Sequence, residues 1–308
     1  FYLMKFNFIP SKIHIELIYS NILSFYDQFD YKEIISTINK SMNLLSTKNY
    51  RLYNIFFSAS MKFFLNNNLV ESINFGNKYY KINDNTFVDN SSLELLVKAF
   101  DKSGMVSKAN KFLELLKKDT WWYKKNASKL KINNQILQSG MNYGTKINHN
   151  IKFDKNTILY HTSHSLPYVS SGYAIRSHWL IKNIMNFNWN VKVCNRVGFP
   201  FDRYVFNKRL IIKSEENIQG VNYIYAPDRI GVNLMNMQEY HEYSTNTIIE
   251  QCKNIKPALI HAASNHTCGL AATDVAKRLG IPSIYEVRGL WHYTRVSKET
   301  YYRNSEHF

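Results

Sequence analysis

The order of apolar and polar residues along the chain changes character near residue 140. Before that point, apolar residues recur at helical spacing and each stretch stops at a polar turn. This pattern predicts helices over residues 31–45, 52–65, 69–82, 93–100 and 105–116. After it, short apolar runs alternate with longer helical patterns. Strands are predicted at 157–160, 190–195, 221–226, 258–261 and 283–287, and helices at 173–187, 235–253 and 266–279.

This alternation predicts the fold class. Strands that alternate with helices at such spacing form a parallel sheet wound by right-handed crossovers. We therefore predict an α/β protein with a Rossmann-like parallel sheet at residues 157–308. An all-α region of helical hairpins precedes it at residues 1–140, and a Gly/Asn/Lys-rich linker at 141–156 joins the two.

The helical region contains a weak internal repeat. The second helices of two successive hairpins start at Leu69 and Met105, 36 residues apart, which is close to the roughly 34-residue period of tetratricopeptide repeats. Stacked helical hairpins are therefore predicted, with an irregular helical bundle as the alternative. The aromatic run Trp121-Trp122-Tyr123 is interpreted as buried surface where the two regions meet, or as a patch for a protein partner.

Composition narrows the class of protein. The formal charge of +16 suits an anionic membrane face or a phosphorylated substrate, but the lysines form no dense block, so nucleic-acid binding is not expected. Cys194, Cys252 and Cys268 are widely spaced and predict reduced thiols in a cytoplasmic protein. The sequence contains no run of about 18 uncharged apolar residues, so no transmembrane helix is predicted. The first residues do not have the basic-then-apolar order of a signal peptide, so none is predicted. Position 1 is not a methionine, so the chain is interpreted as a fragment.

Candidate chemistry follows from the predicted sheet, because ligands of such sheets bind beyond the carboxyl ends of the strands. That rule selects the loops at 161–172, 196–203, 261–266 and 288–295. The first loop ends in Ser171-Gly172 at a predicted helix start, where free backbone amides favour an anion such as a diphosphate. The alternative is that a serine of this loop only caps the helix.

The first two loops also carry histidines and an arginine. His161 and His164 form an HxxH pair, but a catalytic zinc ion uses three protein ligands and no third one lies nearby, so no metal is expected. Arg196 follows the second strand and precedes Gly198 and Pro200. It is predicted to point into the cleft, with a solvated surface arginine as the alternative.

The last two loops supply the candidates for catalysis. His261, Asn265 and His266 form a polar rim among small residues, and histidine suits proton transfer near neutral pH. A hydrogen-bonded structural His261 is the alternative. Glu286 and Arg288 lie on the same face of the last strand, so Arg288 faces either a substrate or its own ion-pair partner.

Together these stretches resemble the acceptor-side domain of glycosyltransferase family 4, a group of retaining enzymes with the GT-B fold. The resemblance covers residues 157–308, about half of the chain. The matching motifs are Ser165-Leu166-Pro167, Ser171-Gly172-Tyr173-Ala174-x-Arg176, Arg196-x-Gly198-x-Pro200-x-Asp202, Pro257-Ala258-Leu259-Ile260-His261-Ala262-Ala263-Ser264-Asn265, Gly269-Leu270-Ala271-Ala272 and Leu279-Gly280-Ile281-Pro282-x-x-Tyr285-Glu286-Val287-Arg288-Gly289-Leu290-Trp291.

The resemblance implies transfer of a sugar, with retention, from a nucleotide-sugar donor to a glycan or lipid-linked acceptor, without a metal or other cofactor. Gly172, with Ser171 and Tyr173, would lie near the donor phosphates, and His261 near the reacting sugar. Many members have a glycine where this chain has Ser171 and a second histidine where it has Ala263. The donor-binding domain of the family is expected after residue 308, so this chain is not expected to turn over alone.

Two alternatives remain open. One is a non-catalytic helical-repeat scaffold joined to a degenerate sugar-binding domain, and the other is a different GT-B enzyme such as a sugar-nucleotide epimerase. The expected partners are the nucleotide sugar and its acceptor, a protein on the helical region, and the inner face of a membrane by peripheral contact.

Overall fold

The computed structural model describes residues 17, 19–24, 31–45, 50–80, 89–202, 212–226, 232 and 235–308. The chain divides into two compact units. One comprises residues up to Leu137 together with His292–Phe308, and the other comprises Gln138–Trp291. Residues 292–308, which the sequence assigned to the α/β region, therefore belong with the helices of the first unit.

In the described part of the first unit, residues 19–24 are helical and six further helices follow them. They are α1 (Tyr31–Leu45), α2 (Tyr50–Asn67), α3 (Leu69–Tyr80), α4 (Asn90–Lys102), α5 (Val106–Leu115) and α6 (Trp121–Ser139). The five predicted helices are confirmed, although residues 81 and 82 of the third lie outside the described residues. Helix α6 was not predicted, because its polar and basic positions leave only Ala127 and Leu130 buried.

Aromatic side chains fill the core of the first unit. Phe75 of α3 lies between Phe57 and Phe64 of α2, with ring centroids 5.4 and 5.2 Å away. Phe100 of α4 stacks on Phe112 of α5 at 5.3 Å. These contacts pack α2 against α3 and α4 against α5, which accounts for the paired helical patterns in the sequence.

The second unit contains a six-stranded sheet in its described residues. Its strands are β1 (Asp154–Thr162), β2 (Asn190–Asn195), β3 (Glu215–Ile218), β4 (Val221–Ile224), β5 (Pro257–Ser264) and β6 (Ser283–Val287). Its helices are α7 (Gly172–Met185), α8 (Met237–Ile255) and α9 (His266–Leu279). The strand order is β3-β4-β2-β1-β5-β6, and every pair except β3–β4 is parallel. The predicted α/β class is confirmed.

Strand β3 was missed because its four residues, two of them glutamates, give no apolar run. It pairs antiparallel with β4 through a two-residue turn at Gln219 and Gly220, whose φ angles are 51° and 90°. Two positive φ angles are typical of the tight turn that suits the twist of a hairpin.

Helices cover both faces of the central strand β1. Ile158 and Tyr160 pack on the side of α7, which contributes Ile181. Leu159 points the other way, into a core that α8 and α9 complete. Because β1 is buried on both faces, its sequence is a continuous apolar run instead of an alternating one.

The predicted linker is ordered against the second unit. Asn142 exchanges two hydrogen bonds with Gln238 of α8, each 3.1 Å long. The Ile147 amide donates to the Arg278 carbonyl at 3.0 Å, and His149 contacts the carbonyl of Leu279 at 2.9 Å. The last linker residues, 154–156, are the start of β1.

The C-terminal segment from His292 completes the first unit with the rest of helix α10 (Trp291–Lys298) and a 3₁₀ helix at Thr300–Asn304. Arg295 donates to the Lys102 carbonyl at 2.7 Å. Glu306 accepts from the Ser107 amide at 2.7 Å, which gives α5 a side-chain cap that its own Met105 does not provide. None of the described helices is both long and apolar enough to cross a membrane.

Candidate functional site

The strand order places a crevice between the carboxyl ends of β1 and β5. Helix α7 leaves β1 on one face of the sheet and α9 leaves β5 on the other, so the two connecting segments diverge. The strands are in register through Thr162 and Ala263, and the next side chains, Ser163 and Ser264, approach to 3.4 Å between hydroxyl oxygens. We define this region as the switch-point crevice.

Helix α7 follows β1, so it starts at the carboxyl-end edge of the sheet where the crevice lies, and it begins with the predicted Ser171-Gly172 pair. The Ser171 hydroxyl accepts from the Ala174 amide at 3.4 Å, so the helix cap that the sequence left as an alternative is present. A Cβ atom on Gly172 would meet nothing within 4 Å, and its φ is not positive. The described fold therefore does not require a glycine at this position, whereas a ligand approaching the backbone would.

The start of α9 forms the second wall of the crevice. Ser264 is buried and has a φ of 90°, a left-handed conformation that costs a non-glycine residue about 1–3 kcal/mol. The Tyr285 hydroxyl holds it by donating to the Ser264 carbonyl at 3.1 Å. Asn265 caps the helix by accepting from the Cys268 amide at 3.3 Å, and His266 is exposed at the first helical position. Strain of this kind gathers at functional sites.

Arg196 lies at the end of β2 but is held inside the protein. Its guanidinium forms an ion pair with Asp202, and the exposed fractions of the two side chains are 11% and 13%. Its amide donates to the Thr162 carbonyl at 2.9 Å, which ties the second loop to the end of β1. The arginine therefore fixes the loop instead of pointing freely into the cleft.

A second group of polar side chains lies under the first turn of α7, and we call it the Arg288 cluster: Tyr160, Ser177, His261, Glu286 and Arg288. The Arg288 guanidinium, only 1% exposed, donates to the Tyr160 hydroxyl at 2.7 Å, the Ser177 hydroxyl at 2.7 Å and Glu286 at 2.8 Å. It also donates to the Tyr173 carbonyl at 3.1 Å. The ion pair between Arg288 and Glu286 that the sequence allowed is therefore present. The bonds from Arg288 to Tyr173 and Ser177 connect the end of β6 to α7.

Charge within this cluster is balanced around Glu286. Burial alone would raise the pKa of Glu286, but the hydrogen bond and charge of Arg288 outweigh burial and hold that pKa below its usual value. The exposed Arg176 binds the other carboxylate oxygen at 2.8 Å. Glu286 is therefore a carboxylate at neutral pH, held between two guanidinium groups.

His261 faces the interior of the cluster. Its ring lies 4.7 Å from that of Tyr160, and its Nε2 atom is 3.7 Å from Glu286, which is too long for a hydrogen bond. Burial lowers the pKa of His261, Glu286 opposes that shift, and Arg288 adds to it. The imidazole is therefore neutral near pH 7, and its buried Nε2 has no hydrogen-bond partner in the described structure. A neutral imidazole of this kind can accept a proton.

His161 and His164 do not come together as a metal pair. His161 projects from the opposite face of β1 to Tyr160 and is buried, whereas His164 shares a 2.8 Å hydrogen bond with Ser163. Within the described ranges, no group of three or more His, Cys, Asp and Glu side chains is placed to hold a metal ion.

The buried His161 is expected to make stability depend on pH. Burial lowers its pKa from 6.5 to about 4, and the Arg196 charge adds to that shift. Between these values the unfolded chain binds a proton that the folded chain does not, so stability falls as pH drops from 6.5 to 4, by about 3 kcal/mol from this group. Urea unfolding at a series of pH values is expected to show this loss, and His161→Leu to reduce it. Equal losses in both proteins would contradict the assignment.

Comparison with known proteins adds little to this geometry. No protein-family model matches the chain, and no curated protein matches it. Among solved structures, an uncharacterized protein from Bacillus cereus ATCC 10987 is similar at 10% sequence identity, with a TM-score of 0.21. The match covers 90% of this chain and 79% of that one. Similarity at this level bears on neither fold nor function.

Apart from Arg196, which Asp202 holds in the loop after β2, the predicted site residues fall into two groups in the structure. Ser171, Gly172, Asn265 and His266 lie at the two helix starts that border the crevice, whereas His261 and Arg288 lie in the cluster under α7. Sequence reasoning missed Tyr160 and Ser177. Tyr160 could have been found, since it alternates with Ile158 on one face of β1, but nothing in the sequence indicated its partner.

Proposed function

We propose that the second unit is the acceptor-side domain of a retaining glycosyltransferase that resembles family 4. The observation that carries the proposal is Gly172, a glycine that the described fold does not require, at the start of a helix beside the switch-point crevice. Such a position lets a ligand reach the backbone amides closely. The motif resemblance supports the same site.

In the proposed reaction, the diphosphate of a nucleotide-sugar donor lies against the first turn of α7. The amides after Ser171 and the positive end of the helix dipole stabilise the negative charge that grows as the diphosphate leaves. The ring of Tyr173 stacks on that of Trp291, with centroids 5.8 Å apart, and holds the helix start from the side. The acceptor is a glycan or a lipid-linked sugar.

The Arg288 cluster supports this site from below. Arg288 binds both the Tyr173 carbonyl and the Ser177 hydroxyl, so it fixes the turn that carries Gly172. His261, neutral and next to Glu286 in this cluster, is the proposed acceptor of the proton that the acceptor hydroxyl loses as its oxygen bonds to the sugar and the diphosphate leaves.

Gly172→Val is expected to weaken binding of a nucleoside diphosphate at least about ten-fold, because the valine side chain would occupy the space the phosphates need. The fold is expected to remain intact, since no atom lies within 4 Å of the added Cβ. Isothermal titration of the chain with uridine and guanosine diphosphates measures the affinity. Thermal unfolding measures the fold.

The matched control is Asn183→Val, which places the same branched side chain at an exposed position of α7, away from the crevice. It is expected to leave diphosphate affinity unchanged. Equal affinity in the Gly172 variant and the parent chain would remove the glycine from the binding site. Because the proposed domain is the acceptor side, binding of neither a nucleoside diphosphate nor an oligosaccharide acceptor by the parent chain would defeat the proposal.

A non-catalytic sugar-binding scaffold is the second candidate, and one observation favours it. The guanidinium groups of Arg196 and Arg288 are both enclosed and paired with carboxylates of this chain. Binding of an oligosaccharide without any binding of a nucleoside diphosphate would favour this candidate over the enzyme.

A further inference from the structure

The most exposed tryptophan of the described residues lies at the start of α6. Trp121 is 71% exposed to solvent, whereas its neighbours Trp122 and Tyr123 pack against the core of the first unit. The interpretation of all three aromatics as buried is therefore wrong for Trp121. Trp122 and Tyr123 pack on the core of the first unit, whereas the Trp121 ring does not belong to that core.

The residues around Trp121 are strongly basic. Residues 111–129, which we call the Lys–Trp segment, contain six lysines and two acidic residues, a formal charge of +4. Lys117, Lys118, Lys124 and Lys125 are all exposed and flank the tryptophan on both sides. The Lys125 ammonium lies over the Trp121 ring, 4.8 Å from its centroid. Leu115, at the end of α5, adds a second apolar side chain that is 47% exposed.

This combination fits one kind of partner best. Tryptophan rings prefer the headgroup level of a bilayer, where an apolar body and a polar N–H are both accommodated. Lysine stems extend along such a surface and place their ammonium groups at lipid phosphates. A single protruding ring with lysines on both sides forms no groove for a peptide and no row of aromatics for successive bases. Charge complementarity therefore favours an anionic lipid surface.

We propose that the Lys–Trp segment docks the protein on an anionic membrane surface, with Trp121 entering the headgroup layer and the flanking lysines binding lipid phosphates. The contact is peripheral and does not depend on the proposed sugar transfer. It assigns part of the positive charge of the helical region to a defined surface.

Co-sedimentation with phosphatidylcholine vesicles, with and without phosphatidylglycerol, tests the proposal. The full chain is expected to bind only the vesicles with phosphatidylglycerol, and less as salt increases. Changing Lys117, Lys118, Lys124 or Lys125 to Gln is expected to lower the partition coefficient about five-fold each. Trp121→Ala is expected to lower it roughly ten-fold. Circular dichroism is expected to show the same helix content in all variants.

The matched control is Trp179→Ala in α7. Trp179 is 54% exposed and also has a lysine over its ring, with Lys182 at 5.1 Å, but it lies outside the Lys–Trp segment. Its loss is expected to leave vesicle binding unchanged. Binding to neutral vesicles as strong as to anionic ones, or an equal effect of the two tryptophan changes, would overturn the proposal. Retention on single-stranded RNA without vesicle binding would also overturn it and assign the lysines to a nucleic acid.

Discussion

Replacement of Arg288 by methionine is expected to lower the free energy of unfolding of the second unit by about 3–5 kcal/mol. The guanidinium is 1% exposed and donates hydrogen bonds to Tyr160, Ser177 and Glu286 as well as to a backbone carbonyl of α7. Methionine fills similar space but leaves these acceptors without their donor. The carboxylate of Glu286 would keep only Arg176, whose side chain is 64% exposed.

Urea unfolding followed by circular dichroism measures this change. Lys253→Met is the control, because Lys253 forms an ion pair with Glu250 while both side chains are more than half exposed, and such pairs contribute about 0–1 kcal/mol. The double change Arg288→Met with Glu286→Leu is expected to recover part of the loss, since it removes the uncompensated charge as well. A loss from Arg288→Met no larger than that of the control would show that the cluster does not hold α7.

The regular elements could be predicted because their sequences carry the signal locally. Strands β2 and β6 and helix α9 match the predicted bounds, as each has its own apolar pattern and a clear stop. Helix α6 and strand β3 were missed for the opposite reason. Few side chains of α6 are buried, and β3 is defined by its pairing with β4 more than by its own residues.

The candidate site was predictable only in part. The four loops that the strand-end rule selected do follow β1, β2, β5 and β6, since the strand–helix alternation already implies that topology. It could not say which side chains stay available to a ligand. Arg196 forms an ion pair with Asp202 within its own loop. Arg288 donates hydrogen bonds to groups more than a hundred residues away in sequence, such as the Tyr160 hydroxyl. Long-range pairing of this kind leaves no periodic pattern to read.

Asp274→Ala is the second change expected to have a large effect, a loss of about 3–5 kcal/mol in the free energy of unfolding of the second unit. The Asp274 side chain is fully buried between α8 and α9. It accepts from His241 of α8 at 2.8 Å and from Arg278 of its own helix at 3.0 and 2.6 Å. Alanine would leave a cavity and remove the acceptor from two buried donors at once.

The same substitution at an exposed carboxylate separates this effect from the loss of any acidic residue. Glu250→Ala in α8 removes a carboxylate whose side chain is 68% exposed, and a change within about 0.5 kcal/mol is expected. In urea unfolding, His241→Leu combined with Asp274→Leu is expected to be less destabilising than Asp274→Ala. An apolar pair leaves no charge buried without a partner, although Arg278 must then turn toward solvent. If Asp274→Ala proved as mild as Glu250→Ala, the contact between α8 and α9 would have to rest on the apolar core alone.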